Sequence, residues 1–135
     1  MKSNTQSVTL AAPVDHVFDF LAEPENLPCW AVGFCRAIRR QNGRWLVTTA
    51  QGEVAIRYVT NRALGTVDFH ISLAPGVETV AFSRVLPNGA GAEYVFTQFQ
   101  APGMPGEVYD ANVVALAAKL HVLPLVLRAG AACLD

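Results

Sequence analysis

Hydrophobic and polar positions alternate through most of the chain, and at each end the period lengthens to that of a helix. Val8 and Leu10 alternate with Ser7 and Thr9, which predicts a short first strand. Pro13 then suits a first helical position, where its missing N–H costs nothing. Val14, Val17, Phe18 and Leu21 recur at helical spacing until Pro24, whose ring pushes the preceding residue out of the α region. Glu25 to Trp30 reads as a brief second helical turn interrupted by Pro28.

From Gly33 the period is two. Phe34, Arg36 and Ile38 alternate with Cys35, Ala37 and Arg39, and Asn42-Gly43 follows as a strong hairpin signal. Trp45, Val47 and Thr49 form the next alternating set, followed by the tight turn Gln51-Gly52. Val54, Ile56, Tyr58 and Thr60 continue the pattern to a turn at Asn61 to Gly65. Val67, Phe69, Ile71 and Leu73 alternate with Asp68, His70 and Ser72 up to Pro75-Gly76. Val77 to Leu86 and Ala92 to Gln100 complete an antiparallel meander, joined by a loop at Pro87 to Gly91.

Ala101 to Gly106 breaks the pattern, and a helix is predicted from Glu107 to about Arg128. Its apolar stripe is Tyr109, Val113, Leu116, Leu120, Leu123 and Leu127. Glu107, Asp110, His121 and Arg128 lie to one side of the stripe, with Asn112 and Lys119 on the other. Pro124 inside this pattern predicts a kink or stop near Leu120, and Ala129 to Asp135 reads as a loose tail.

The order of elements predicts an α+β domain. A curved sheet with one apolar face needs a cover, and the C-terminal helix, roughly 30 Å long, is the element able to provide it. At 135 residues the chain fits one domain, residues 1–135. It is 52% hydrophobic and only 16% charged, against a usual charged fraction of about 25%. That balance implies a large core, an internal apolar surface or a face for a partner.

A net charge of −1 with scattered Lys and Arg gives no footprint for nucleic acid. Cys29, Cys35 and Cys133 are odd in number and, with the dispersed His16, His70 and His121, suggest neither a disulfide framework nor a metal site. No signal segment opens the chain and no uninterrupted apolar run is long enough to span a bilayer, so a cytoplasmic location is expected. No nucleophile elbow, phosphate loop or dinucleotide fingerprint occurs, and no cofactor is implied.

The run from Ala12 to Trp30, APVDHVFDFLAEPENLPCW, resembles the opening of the SRPBCC superfamily of START-like domains. Gly52-Glu53-Val54, Pro87-Asn88-Gly89, and Phe96-Thr97-Gln98-Phe99 followed by Pro102-Gly103-Met104 resemble its bacterial polyketide cyclase/dehydrase-like branch. The resemblance spans nearly the whole chain. It implies a helix-grip fold: a seven-stranded curved antiparallel sheet wrapped around a long C-terminal helix, with two short helices after the first strand. It also implies a ligand cavity, with the Trp30 position near its mouth. Members bind lipids, polyketides, hormones or client proteins.

On this reading the cavity is lined by Trp30, Phe34, Trp45, Val47, Ile56, Tyr58, Phe69, Phe82 and Phe96. Tyr109, Val113 and Leu116 line it from the last helix. Thr48, Ser83, Tyr94 and Thr97 are candidates for single hydrogen bonds to a ligand, while Cys29 reads as a small buried hydrophobe. Asp68 and His70, two apart on one strand, with Arg57 on the strand before, are the candidate acid–base group. The alternation favours Val67, Phe69, Ile71 and Leu73 as the inward set, which sends Asp68 and His70 to solvent.

Three functions follow. The first is a carrier or sensor of a small apolar, lipid- or polyketide-like molecule. The second is a cyclase, dehydrase or aromatase, which needs an acid or base facing the cavity. The third is a protein-interaction module of the heat-shock-ATPase-activator type. The almost wholly apolar stretch from Leu120 to Leu127 also offers an edge at which a homodimer can form.

Overall fold

The computed structural model describes residues 1–128; the expected tail, residues 129–135, lies outside the described residues. The first strand, β1 (Ser3–Leu10), is longer than the alternation at Val8 and Leu10 marked. Helix α1 (Val14–Ala22) follows, with the Pro13 carbonyl accepting the Val17 amide at 3.0 Å. Phe20 is buried along with Val17, Phe18 and Leu21, so α1 is covered over a wider arc than the predicted stripe. Glu23 is extended, as the residue before Pro24 should be. A 3-10 turn (Pro24–Asn26) leads into α2 (Leu27–Trp30), where Pro28 stands in the first turn rather than breaking it. The Asn26 side-chain amide donates to the Phe20 carbonyl at 3.1 Å, pinning this turn to the end of α1.

Six further strands form the meander: β2 (Ala37–Gln41), β3 (Arg44–Thr49), β4 (Gly52–Asn61), β5 (Thr66–Ala74), β6 (Val77–Asn88) and β7 (Gly91–Phe99). The sheet order is β1-β7-β6-β5-β4-β3-β2, all antiparallel, so the first strand closes against the last. The Asn42-Gly43 hairpin forms with both residues at positive φ. Two predictions at strand ends are corrected. Phe34 lies in a turn ahead of β2, and Leu73 is exposed beyond a register shift between Ser72 and Ala74.

Helix α3 (Gly106–Arg128) runs unbroken through Pro124. A proline costs one helical hydrogen bond. Here the turns on either side are held by burial of Leu120, Leu123 and Leu127 against the core, which outweighs that loss. The first half of α3 is tied to the sheet by polar side chains. Gln6 donates to the Val113 carbonyl at 3.0 Å, and Gln98 to the Asn112 carbonyl at 3.1 Å. The core lies between α3 and one face of the sheet, formed by cross-strand neighbours such as Ile56 with Ile71, Phe69 with Ala81, and Val85 with Tyr94.

Candidate functional site

The space gripped between α3 and the sheet is occupied by a connected set of aromatic rings. Trp30, the last residue of α2, is only 2% exposed. Its ring lies 6.2 Å from Phe69 and 6.1 Å from Tyr94, edge-on to the latter. Phe69 stacks with Phe96 at 5.9 Å and meets the edge of Tyr58 at 5.0 Å. Trp30 is thus a core anchor at the centre of the enclosed space rather than one wall of a wide hollow. Val47, Ile56 and Leu116 are buried in the same core.

Among the described residues, three polar atoms on these rings are buried with no hydrogen-bond partner in the direct geometry: Nε1 of Trp30 and the hydroxyls of Tyr58 and Tyr94. Ser83 is buried beside Tyr94; its Oγ donates to the Val67 carbonyl at 2.5 Å, and its contact with the phenol hydroxyl offsets a part of the upward push of burial. Burial pushes both phenol pKa values upward, so the hydroxyls remain neutral donors. Nearby Cys35, also buried, donates weakly to the Ala37 carbonyl, and burial pushes its thiol up to about 11. Cys29, by contrast, is disulfide-bonded and only half-buried, which corrects both the expectation that these cysteines form no disulfide and its reading as a small buried hydrophobe.

A notch of about 270 Å³ opens where the β2–β3 hairpin stops short of the full length of β4, with the outer-face residues Arg57 and Glu78 in its lining. Trp45, Ile56 and Tyr58 give it an apolar wall, while Arg44, Arg57 and Glu78 rim it with charge. Tyr58 and Ile56 therefore belong both to the notch and to the aromatic interior. The Arg40 guanidinium sits 5.5 Å over the Trp45 ring.

The candidate acid–base group does not face the interior. His70 and Arg57 are direct cross-strand neighbours, as expected, but on the outer face of the sheet. There His70 Nδ1 lies 3.1 Å from Glu78 and Arg57 lies 3.8 Å from the same carboxylate. Asp68 faces the exposed Val59 on that surface. Phe82 is corrected as well: it is 46% exposed and meets Phe99 edge-on outside the sheet. Thr48 is exposed, and Thr97 bonds Thr5 on the outer face. Tyr109 is buried under Lys2, apart from the ring set, and Val113 is half-buried where Gln6 holds its carbonyl. Among the described residues no group of three or more His, Cys, Asp or Glu could hold a metal ion.

Lys119, on the flank of the predicted stripe, is only partly exposed. Its amine lies 5.2 Å over the Phe34 ring and, among the described residues, forms no ion pair. Burial lowers its pKa from 10.5 to about 8. Between those two values the unfolded chain holds a proton that the folded chain has released, so this group makes stability rise with pH across that window. Lys119→Met should therefore be more stable than the parent at pH 7, by about 1–2 kcal/mol once the amine's partial access to water is allowed for. That advantage should shrink towards pH 10. Urea melts of both proteins at the two pH values check this; an equal advantage at both would mean the amine is hydrated.

No protein-family model and no curated protein matches the sequence. Solved structures do match its architecture. The chain shares the helix-grip α+β fold of those structures. XoxI from Bacillus cereus shares it at 14% identity and a TM-score of 0.77, over 93% of this chain and 95% of that one. The di-domain ARO/CYC BexL of the BE-7585A biosynthetic pathway shares it at 17% identity and a TM-score of 0.75. That match covers 95% of this chain but only 47% of BexL, so the chain spans about half of the two-domain protein. An Aha1 dimer from Colwellia psychrerythraea aligns at 13% identity and a TM-score of 0.73, over 94% of this chain and 96% of that one. Of the expected lining residues, Tyr58, Phe69 and Phe96 face the interior, and Trp30, expected near a cavity mouth, stands at the centre of that interior. Sequence reasoning singled out Tyr94 as a lone polar group, not as part of the lining. The pairing of Tyr94 with both Val8 and Val85, inward neighbours on the flanking strands, sets it there.

Proposed function

We propose that the chain binds a small, largely apolar molecule carrying a hydrogen-bond acceptor, as a carrier or sensor. The observation behind this reading is the set of three unpartnered donors on one aromatic cluster. A buried polar group left unsatisfied costs about 1–3 kcal/mol, and an acceptor on a guest molecule would relieve that cost for donors that find none among the described residues. A carbonyl or ether oxygen on a flat apolar body answers both the donors and the rings.

A cyclase or aromatase needs a group that exchanges protons near neutrality. The side chains of this cluster are neutral, and its hydroxyls and thiol are shifted away from neutrality. Binding without turnover is therefore the reading this chemistry supports best.

The matched probes 1-acetylnaphthalene and 1-ethylnaphthalene differ chiefly in a carbonyl. The ketone should quench tryptophan fluorescence and bind at least tenfold more tightly, a difference of about 1.4 kcal/mol. Tyr94→Phe should erase most of that preference while leaving the fold as stable or up to about 1 kcal/mol more stable, since it deletes an unpartnered hydroxyl. Equal affinity for the two probes in the parent protein would refute the role given to these donors.

A further inference from the structure

Helix α3 is apolar on both sides, and among the described residues only one side is covered. By length and composition it could cross a bilayer, yet only 22% of its most apolar stretch is buried within the domain. A helix that is apolar all round is normally packed all round. On the outer side, Val114 is 71% exposed and Leu125 is 62% exposed. Ala111 and Ala118 are exposed and Val122 is partly so. These five residues follow one another at steps of three, four, four and three, the spacing of a helix–helix seam.

The seam is symmetric about its middle. Ala111 and Leu125 stand equally far from Ala118 on either side, as do Val114 and Val122. Two such helices laid antiparallel would set Ala111 against Leu125 and Val114 against Val122, with Ala118 against its own copy on the two-fold axis. The small central residue lets the backbones approach. The charges agree with that register. The exposed Glu107 and Asp110 lie near the start of the helix, and the exposed His121 and Arg128 lie near its end, on the same flank. An antiparallel two-fold brings the acidic end of one helix to the basic end of the other along that flank. We propose that two copies of this chain associate through the outer face of α3, antiparallel, with the axis at Ala118.

The same charges also suit the helix dipole, so the test must read the register. Ala118→Cys should form a dimer disulfide rapidly under mild oxidation. Ala117→Cys, one residue off the seam, and the parent chain should not. By sedimentation, Leu125→Glu should weaken association at least tenfold without changing the circular dichroism spectrum. Glu107→Arg should weaken it several-fold, and adding Arg128→Glu should restore it. A parent chain that sediments as a monomer at all concentrations, or equal cross-linking at positions 117 and 118, would overturn the proposal. So would flotation of the monomer with phosphatidylcholine/phosphatidylglycerol vesicles, which would assign the face to a bilayer.

Discussion

Trp30→Ala should lower the stability of the domain by about 3–5 kcal/mol, the range for removing a large aromatic from a packed core. Two features place it at the upper end. First, the indole touches both Phe69 and Tyr94, which stand on non-adjacent strands, so its loss opens a void that neither strand can close by moving alone. Second, α2 has four residues and no independent stability. Burial of Leu27 and Trp30 fixes it in place. Trp30→Phe should cost less, about 1–2 kcal/mol, because it keeps one ring and deletes the unpartnered Nε1. Denaturant melts followed by circular dichroism separate these cases. A loss below about 1 kcal/mol in the alanine variant would mean the centre of the domain is a loose space that Trp30 merely borders.

Much of this arrangement was legible in the residues. Period-two alternation marked strands β2 to β7, Asn42-Gly43 marked the sharpest hairpin, and Pro24 marked the end of α1. The sidedness of β6 was not legible. Its alternate sets are Val80, Phe82 and Arg84 against Ala81, Ser83 and Val85, and size suggests that Phe82 faces inward. Pairing decides otherwise: Ala81 lies opposite Phe69 and Ser83 opposite Phe96, so the inner positions of β6 must be small to make room for those rings. A single strand's pattern does not carry that information, because it depends on what the neighbouring strands contribute.

The last helix shows the same limit. Its inner stripe was readable at helical spacing, but Pro124 pointed to a break that core packing prevents. The Asp68–His70 pair was correctly weighed by alternation as outward-facing. Its partner Glu78, on the next strand, was missed because only strand pairing brings it there. The unsatisfied hydroxyls were not foreseeable either: Tyr in a strand satisfies β-propensity alone, and whether its oxygen finds a partner is settled in three dimensions.

Gly65→Ala is expected to cost about 2–4 kcal/mol, far more than the same change at Gly76. Both glycines have positive φ, 73° and 76°, so both substitutions incur left-handed strain of about 1 kcal/mol. At Gly76 a methyl group would meet open space. At Gly65 it would run into the backbone carbonyl of Val85, in a ladder where the Val85 amide donates to the Gly65 carbonyl at 2.8 Å. Relief would require β5 and β6 to separate at the point where the turn is anchored. There the Gly65 amide donates to the Arg62 carbonyl at 3.1 Å, and Arg84 donates to the Leu64 carbonyl at 2.9 Å. The consequence reaches the interior, because the β5–β6 register sets Ala81 opposite Phe69 and leaves room for that ring. Loss of stability in Gly65→Ala should therefore come with a change in the near-ultraviolet circular dichroism of the aromatic cluster, whereas Gly76→Ala should leave that signal intact. Matching losses of about 1 kcal/mol at both sites would show that the β5–β6 ladder yields at Val85, and that backbone strain alone sets the cost.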